Sequence, residues 1–426
     1  MSCLSTLERV EGYRAHLSLQ GNSYTDMFRT LYQNVLQWLF GNQAASLGRI
    51  AAVGVGGAGG NAIDTISQEE IGGVDLIAIN TDSQDLSGTQ ADTCLQVGRA
   101  ETEGLGAGAD PEVGVQAAES SREEIQHALE PYDMVIVTAG MGGGTGTGAA
   151  PIVAEIAQEM GILTIGIATR PFSCEGAPRM ETAKKGIKRL RKRTETLIVI
   201  PNDRLLDLTN EQTSLKEAFR IADEVLCDAV RGIVEIITGE GLVNLDFADV
   251  EKTMKDGGTG VLGVSAQVGM HQSQPASTNG ADSTPYGVQG DSPQATRFEK
   301  AALEATSSPL FDGYSIEGAE NVLVNVTGGP SLGFRDVMSA VEVIQSRAGR
   351  NSEVLFGATV NEQLNDHFRV TVIATGVDKK TSEGSPGLSS EAEVQSQQRL
   401  SENTEERHAS KQDPKKRNGS VATGSS

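Results

Sequence analysis

Residues 134–151 read MVIVTAGMGGGTGTGAAP, and this stretch decides the fold. An apolar run, Met134–Thr138, gives way to Gly142-Gly143-Gly144-Thr145-Gly146-Thr147-Gly148, and Pro151 falls in the first turn of the helix that should follow. Five glycines in seven residues leave too little side chain for a packing device, so the loop reads as backbone shaped to wrap a di- or triphosphate. The hydroxyls of Thr145 and Thr147 add to its N–H groups. A chance glycine-rich turn is the bland alternative, and the strand–loop–helix frame argues against it.

A second glycine loop lies upstream. The run Ile50–Val53 enters Gly54-Val55-Gly56-Gly57-Ala58-Gly59-Gly60-Asn61 ahead of another helix. Alone this matches GxGxxG, so a nicotinamide-dependent oxidoreductase is a competing reading. No GxxxxGK[ST] motif occurs, which excludes a Walker-type NTPase. The formal charge of −22 opposes nucleic acid held by bulk electrostatics and cannot attract a phosphate ligand either. Any phosphate site must therefore be local, made of backbone N–H groups, helix N-termini and a metal ion. An acidic surface suits a salt-rich cytoplasm, and equally serves ordinary solubility.

Further apolar runs, Leu76–Ile79, Leu163–Ile167 and Leu197–Ile200, alternate with helical stretches and predict βαβ units in a mostly parallel sheet. A long amphipathic helix is expected over 214–237, carrying Leu215, Phe219, Ala222, Leu226, Val230 and Ile233 on one side. Beyond it come a helix near Ala248–Met254, strands at Val322–Val326, Val354–Val360 and Phe368–Ile373, and a helix over Phe334–Arg347. The expected fold class is α/β: a Rossmann-like parallel-sheet domain joined by a long central helix to a smaller α+β domain. The divisions read 1–48 as a variable extension, 49–213 as the nucleotide-binding domain, 214–238 as the central helix and 239–378 as the second domain. Segment 267–295 is read as a disordered insert, and 379–426 as a disordered tail. In the extension, Phe28, Leu31, Tyr32, Val35, Leu36 and Leu39 fall on one helical stripe; a docked helix and a membrane-surface helix are the two readings.

Cys3, Cys94, Cys174 and Cys227 form no CxxC pair, so no zinc site or disulfide is expected. No signal peptide and no membrane-spanning run is read in the sequence. The basic run Lys184, Lys185, Lys188, Arg189, Arg191, Lys192 and Arg193 reads as a solvated helix face or a contact between copies.

The GGGTGTG run, Asn80-Thr81-Asp82, residues 104–114 (GLGAGADPEVG), Ile200-Pro201-Asn202-Asp203 and Val326-Thr327-Gly328-Gly329-Pro330 together resemble the tubulin superfamily, and within it the bacterial division proteins of FtsZ type. The likeness covers roughly 49–378. It implies a cytoplasmic GTPase at the division site that assembles head to tail with itself. GTP and GDP would be its ligands, with Mg2+ bridging the β and γ phosphates. Gly57, Ala58, Gly59, Gly60 and Asn61, with Gly143, Gly144, Thr145, Gly146, Thr147 and Gly148, are the implied phosphate contacts. By the same resemblance Glu175 accepts from a ribose hydroxyl, Arg179 meets the phosphates, Asn202 joins them and Phe219 stacks on the base. Asp223 then reads guanine, whose N1–H and 2-amino group both donate to a carboxylate; a solvated Asp223 and a reading role for Glu224 are the alternatives. Cys174 departs from the aromatic residue that the family carries there.

Asn244-Leu245-Asp246-Phe247-Ala248-Asp249 matches the family's NxDxxD loop. Asp246 and Asp249 would orient the attacking water above the GTP of the next subunit, with Asn244 helping. Read without the family, Asp246 is a helix N-cap and Asp249 an acidic residue in the first turn. Membrane tethers of a division ring are a further implied partner. The short apolar-basic peptide that binds them is not evident in 415–426.

Overall fold

The computed structural model describes residues 48–69, 71–208, 213–238, 241–243, 245–265, 268–269 and 296–377. The extension, the tail, most of the 267–295 segment and Asn244 lie outside the described residues. Strands β1 Ile50–Val55, β2 Val74–Asn80, β3 Thr93–Gln96, β4 Met134–Gly140, β5 Leu163–Arg170 and β6 Thr196–Pro201 form a wholly parallel array in the order 3-2-1-4-5-6. This is the doubly wound arrangement, with its order reversing between β1 and β4.

The strands are buried on both faces, so their side chains divide alternately between two cores. In β1, Ile50 and Ala52 enter one core while Ala51, Val53 and Val55 enter the other. In β4, Met134 and Ile136 oppose Val135, Val137 and Ala139 in the same way. Helix α1, Gly56–Gln68, covers the first face with Ala62, Ile63 and Ile66. Helices α2, Thr145–Glu159, and α3, Ala177–Leu190, cover the second.

Helix α4, Leu215–Thr238, is the expected central helix, and its apolar stripe from Ala222 to Ile237 lies in the first core. After it, β7 Gly241–Val243, α5 Phe247–Met254, β8 Gly258–Val264 and β9 Val268–Gly269 lead to α6, Arg297–Ala305. Then follow β10 Asn321–Gly328, α7 Phe334–Ala348, β11 Glu353–Val360 and β12 His367–Thr375. The mixed order β8-β12-β10-β11-β7 continues the parallel array, because β8 pairs with β6 through Thr196↔Gly258 to Ile198↔Gly260. The strands β3, β7 and β8, the helix α6 and the helices Pro111–Ser120 and Arg122–Leu129 were not placed by the sequence reading. Val268–Gly269, the second and third residues of the segment read as a disordered insert, instead pair with Phe368 and His367. Among the described residues no helix is long and apolar enough to cross a membrane.

A third core, in the C-terminal sheet, centres on Phe368, which is fully buried and stacked on Phe298 with ring centroids 3.9 Å apart. Phe368→Ala is expected to cost about 3–5 kcal/mol, from lost transfer energy plus the cavity left behind. Urea unfolding checks this: the midpoint should fall while the slope holds.

Candidate nucleotide site

Both glycine loops leave the carboxyl ends of β1 and β4, the two strands that flank the reversal in strand order. Open α/β sheets form their ligand crevice at this point. Here the two loops touch. A Cβ on Gly56 (φ +74°) would lie 2.8 Å from the amide nitrogen of Gly146, and one on Gly146 would lie 2.6 Å from the carbonyl oxygen of Gly140. Gly144 meets Ala107 and the Asp110 backbone, and Gly148 meets the Pro111 carbonyl, at 2.1 Å from an added Cβ. With Gly142, which meets Arg179, four of the five glycines are therefore close-packing positions, which corrects the expectation that the run could not be a packing device. Gly143 differs: nothing lies within 4 Å of its added Cβ.

Helices α1 and α2 begin inside these loops. Neither carries a side-chain N-cap or an acidic residue in its first turn. Their first N–H groups remain available, and both dipoles present positive ends. The contrast with the neighbouring helix Pro111–Ser120, capped by the Asp110 carboxylate, is direct. Two uncapped N-termini side by side make a local anion site within an acidic chain.

The threonine hydroxyls are engaged within the protein. Thr147 Oγ1 accepts from the Gly142 N–H at 2.8 Å, and Thr145 Oγ1 shares a 2.6 Å hydrogen bond with Thr81 Oγ1. Thr81 thus ties the loop after β2 to the second glycine loop, a link that sequence reading missed. Gly57, Ala58, Gly59, Gly60 and Asn61 all lie in the first two turns of α1.

Glu175 Oε1 accepts from the Phe172 N–H at 2.8 Å, while Glu175 Oε2 pairs with Arg179 Nε at 3.0 Å. The two residues therefore hold each other within one loop. Arg179 also backs the second glycine loop, with its Cγ 2.8 Å from an added Cβ on Gly142. Asn202 opens a short helix after β6; it is buried, and its Oδ1 has no hydrogen-bond partner. An orphaned buried acceptor at the carboxyl end of a parallel strand is the mark expected of a ligand contact.

Phe219 is exposed, and its ring meets Phe172 edge to face at 5.4 Å. Phe172 was missed as a site residue, although it stands three residues before Glu175. Asp223 lies one turn beyond Phe219 on the same face of α4. Burial, and then the neighbouring Glu224, push its carboxyl up to about 7. Glu224 is ion-paired with Arg220, whereas no hydrogen bond or ion pair is formed by Asp223 among the described residues. This favours Asp223 over Glu224 as the group available to a base.

The acidic loop sits elsewhere. Asp246 occupies the N-cap position of α5 without a side-chain capping bond, and Asp249 lies in the first turn. Both are exposed. Burial and then Asp246 raise the Asp249 carboxyl above its ordinary range. Phe247 packs on Gly48, just before β1 begins, and the Met254 carbonyl accepts from Thr196 Oγ1 at the start of β6. The acidic loop therefore lies at the amino edge of the parallel sheet and the glycine loops at its carboxyl edge. The six residues of β1 separate the two edges by roughly 20 Å.

Sheet order, paired glycine turns and uncapped helix starts define a nucleotide-binding protein of α/β class. Residues 49–210 match the GTPase domain of the Tubulin/FtsZ family and residues 287–378 the C-terminal domain of the FtsZ family. An FtsZ point mutant from M. jannaschii shares 39% identity at a TM-score of 0.69, covering 82% of this chain and 96% of that one. An FtsZ dimer from the same organism shares 37% identity at 0.68, covering 84% and 98%. CetZ2 from Haloferax volcanii, solved as a GTPγS-bound protofilament, shares 23% identity at 0.62, covering 84% and 99%; at that identity it shows the fold alone. The chain belongs to the Tubulin/FtsZ family. It is a GTPase, so GTP and GDP are its ligands and the nicotinamide reading falls. The FtsZ relatives do not confirm the bacterial source expected above.

Two predictions separate packing from ligand space. Gly143→Ala should keep the parent melting temperature and lose GDP affinity, whereas Gly146→Ala should lower both, as read by calorimetry and nucleotide titration. GDP affinity should also rise with pH. Below about 7 the Asp223 carboxyl of the free protein is protonated, and binding through the carboxylate must expel that proton, weakening affinity by up to about tenfold per unit. Asp223→Asn should flatten this difference across pH 5.5–8, and Asp223→Ala should weaken binding about 100-fold.

Proposed function

We infer that this chain is an assembling GTPase of the cell-division type. The nucleotide lies across the two glycine turns, and its hydrolysis is completed by Asp246 and Asp249 of the next copy. One observation carries the reading: the glycine loops and the acidic loop occupy opposite edges of one sheet, roughly 20 Å apart along β1. A single copy cannot bring both to one phosphate. Two copies stacked along the strand direction can, each presenting its acidic edge to the other's nucleotide edge.

The roles follow from the chemistry of the groups. N–H donors at the starts of α1 and α2, with Gly57, Ala58, Gly59, Gly60, Asn61 and Gly143 to Gly148, hold the phosphates. Glu175 and Arg179 shape the loop beside ribose and phosphate. Phe219 with Phe172 stacks on the base, Asn202 supplies its unpaired oxygen, and Asp223 accepts from guanine. The raised carboxyl of Asp249 suits a group that takes a proton from water, and Asp246 and Asn244 orient that water. Among the described residues no cluster of His, Cys, Asp or Glu could hold a metal by itself, so a Mg2+ ion arriving with GTP would be held by its phosphates and offset their charge.

The FtsZ-type C-terminal domain supports work in the cytoplasm at the division site. Membrane tethers of a division ring are a proposed partner class.

Asp249→Ala is expected to keep GTP binding within about threefold and to lower turnover at least about 100-fold. Mixing it with equal Gly143→Ala, which keeps the fold and loses the nucleotide, should restore part of the turnover, because each variant supplies the half that the other lacks. Phosphate release in the mixture measures this; a mixture no faster than its components would reject the shared site.

A further inference from the structure

Pro309–Phe311 forms a short turn whose residues straddle two cores: Leu310 is buried with the parallel sheet and Phe311 with the C-terminal sheet. Asp312 follows it in the left-handed region (φ +46°), so its backbone is held in an uncommon conformation directly after two buried anchors. Its carboxylate is gripped on both oxygens. Arg170 Nη2 donates to Oδ2 at 3.0 Å and Arg204 Nε donates to Oδ1 at 3.1 Å.

The two arginines come from two different nucleotide-side segments. Arg170 ends β5 and is followed directly by Pro171 and Phe172, whose ring meets Phe219. Arg204 lies on the short helix Asn202–Leu205, which starts with the orphaned Asn202. These segments are also tied to each other, because the Asp203 carboxylate accepts from the Ser173 N–H at 2.8 Å. Asp312 therefore closes a frame around the base and ribose side of the inferred crevice, from a turn anchored in two cores.

We propose that Asp312 is a positioning residue for the nucleotide: through Arg170 and Arg204 it fixes the spacing of Phe172 and Asn202, so that the C-terminal sheet sets the affinity of the guanine pocket. The proposal rests on the nucleotide placement inferred above. Half-exposed ion pairs add little to global stability, so this carboxylate matters through geometry more than through folding energy. A fixed loop binds without first being ordered, and a loosened one loses affinity.

The test is GDP titration of the full chain at concentrations below assembly, with GTP turnover measured separately above it. Asp312→Asn should raise the GDP Kd and the GTP KM five- to twentyfold while kcat at saturating GTP stays within twofold. Asp312→Glu should recover most of the affinity. The nucleotide-free melting temperature should move by no more than about 2 °C. Arg204→Ala reads the same contact from a half-exposed side chain and should show the same split, should Asp312→Asn fold poorly. Phe219→Ala serves as the pocket control and should bind weakly. Parent affinity in Asp312→Asn and Arg204→Ala beside a weakened Phe219→Ala overturns the positioning role alone, as does a lowered melting temperature with unchanged KM. Parent affinity in Phe219→Ala instead overturns the nucleotide placement on which the proposal stands.

Discussion

The rest of the structure depends on the contact of two glycine backbones at the reversal of strand order. Gly56 comes so close to the Gly146 amide that it tolerates no Cβ, and the Gly140 carbonyl closes Gly146 in the same way; this closeness puts the starts of α1 and α2 side by side. Each start leaves its N–H groups without a side-chain cap. In a chain of net charge −22 these fixed dipoles, rather than mobile lysines, can make an anion welcome. The surrounding polar links serve the same end. Thr81 braces Thr145, Thr147 folds back on Gly142, and Asp110 caps the helix behind them, so the loops are shaped before any ligand arrives. Preorganised donors spend little free energy on ordering when the ligand binds.

Much of this was legible in the residues, for local reasons. Strands buried on both faces read as continuous apolar runs, and β1, β4, β5 and β6 were found that way, each a few residues short because polar ends such as Thr169-Arg170 still pair. The central helix was legible from its stripe. The elements missed lacked such signals. In β8, three glycines interrupt the pattern, and one of them, Gly263, faces the Ala305 backbone too closely for a side chain. The strand β3 has four residues and little burial. The helix α6 did carry a signal, the capping box Thr296 with Glu299, hidden beside a polar segment.

The site divides along the same line. Glycine runs announce a close backbone approach, but not whether another backbone or a ligand makes it. Gly144, Gly146 and Gly148 face protein, and Gly143 faces open space. Long-range partners left no trace in spacing. The edge of Phe172 on Phe219, and the grip of Arg170 and Arg204 on a carboxylate more than one hundred residues away, needed the fold. That distant grip also joins the proposed nucleotide pocket to a turn seated in two cores.

On the proposed reading, a sheet with its donors at one edge and its carboxylates at the other is half of a reaction site at each end. Its chemistry should therefore depend on how many copies meet. The most direct measurement is GTP turnover per subunit across protein concentration at saturating GTP. The shared site predicts negligible turnover at high dilution, rising steeply above a threshold and then levelling. Turnover per subunit that is constant from the lowest to the highest concentration would contradict it.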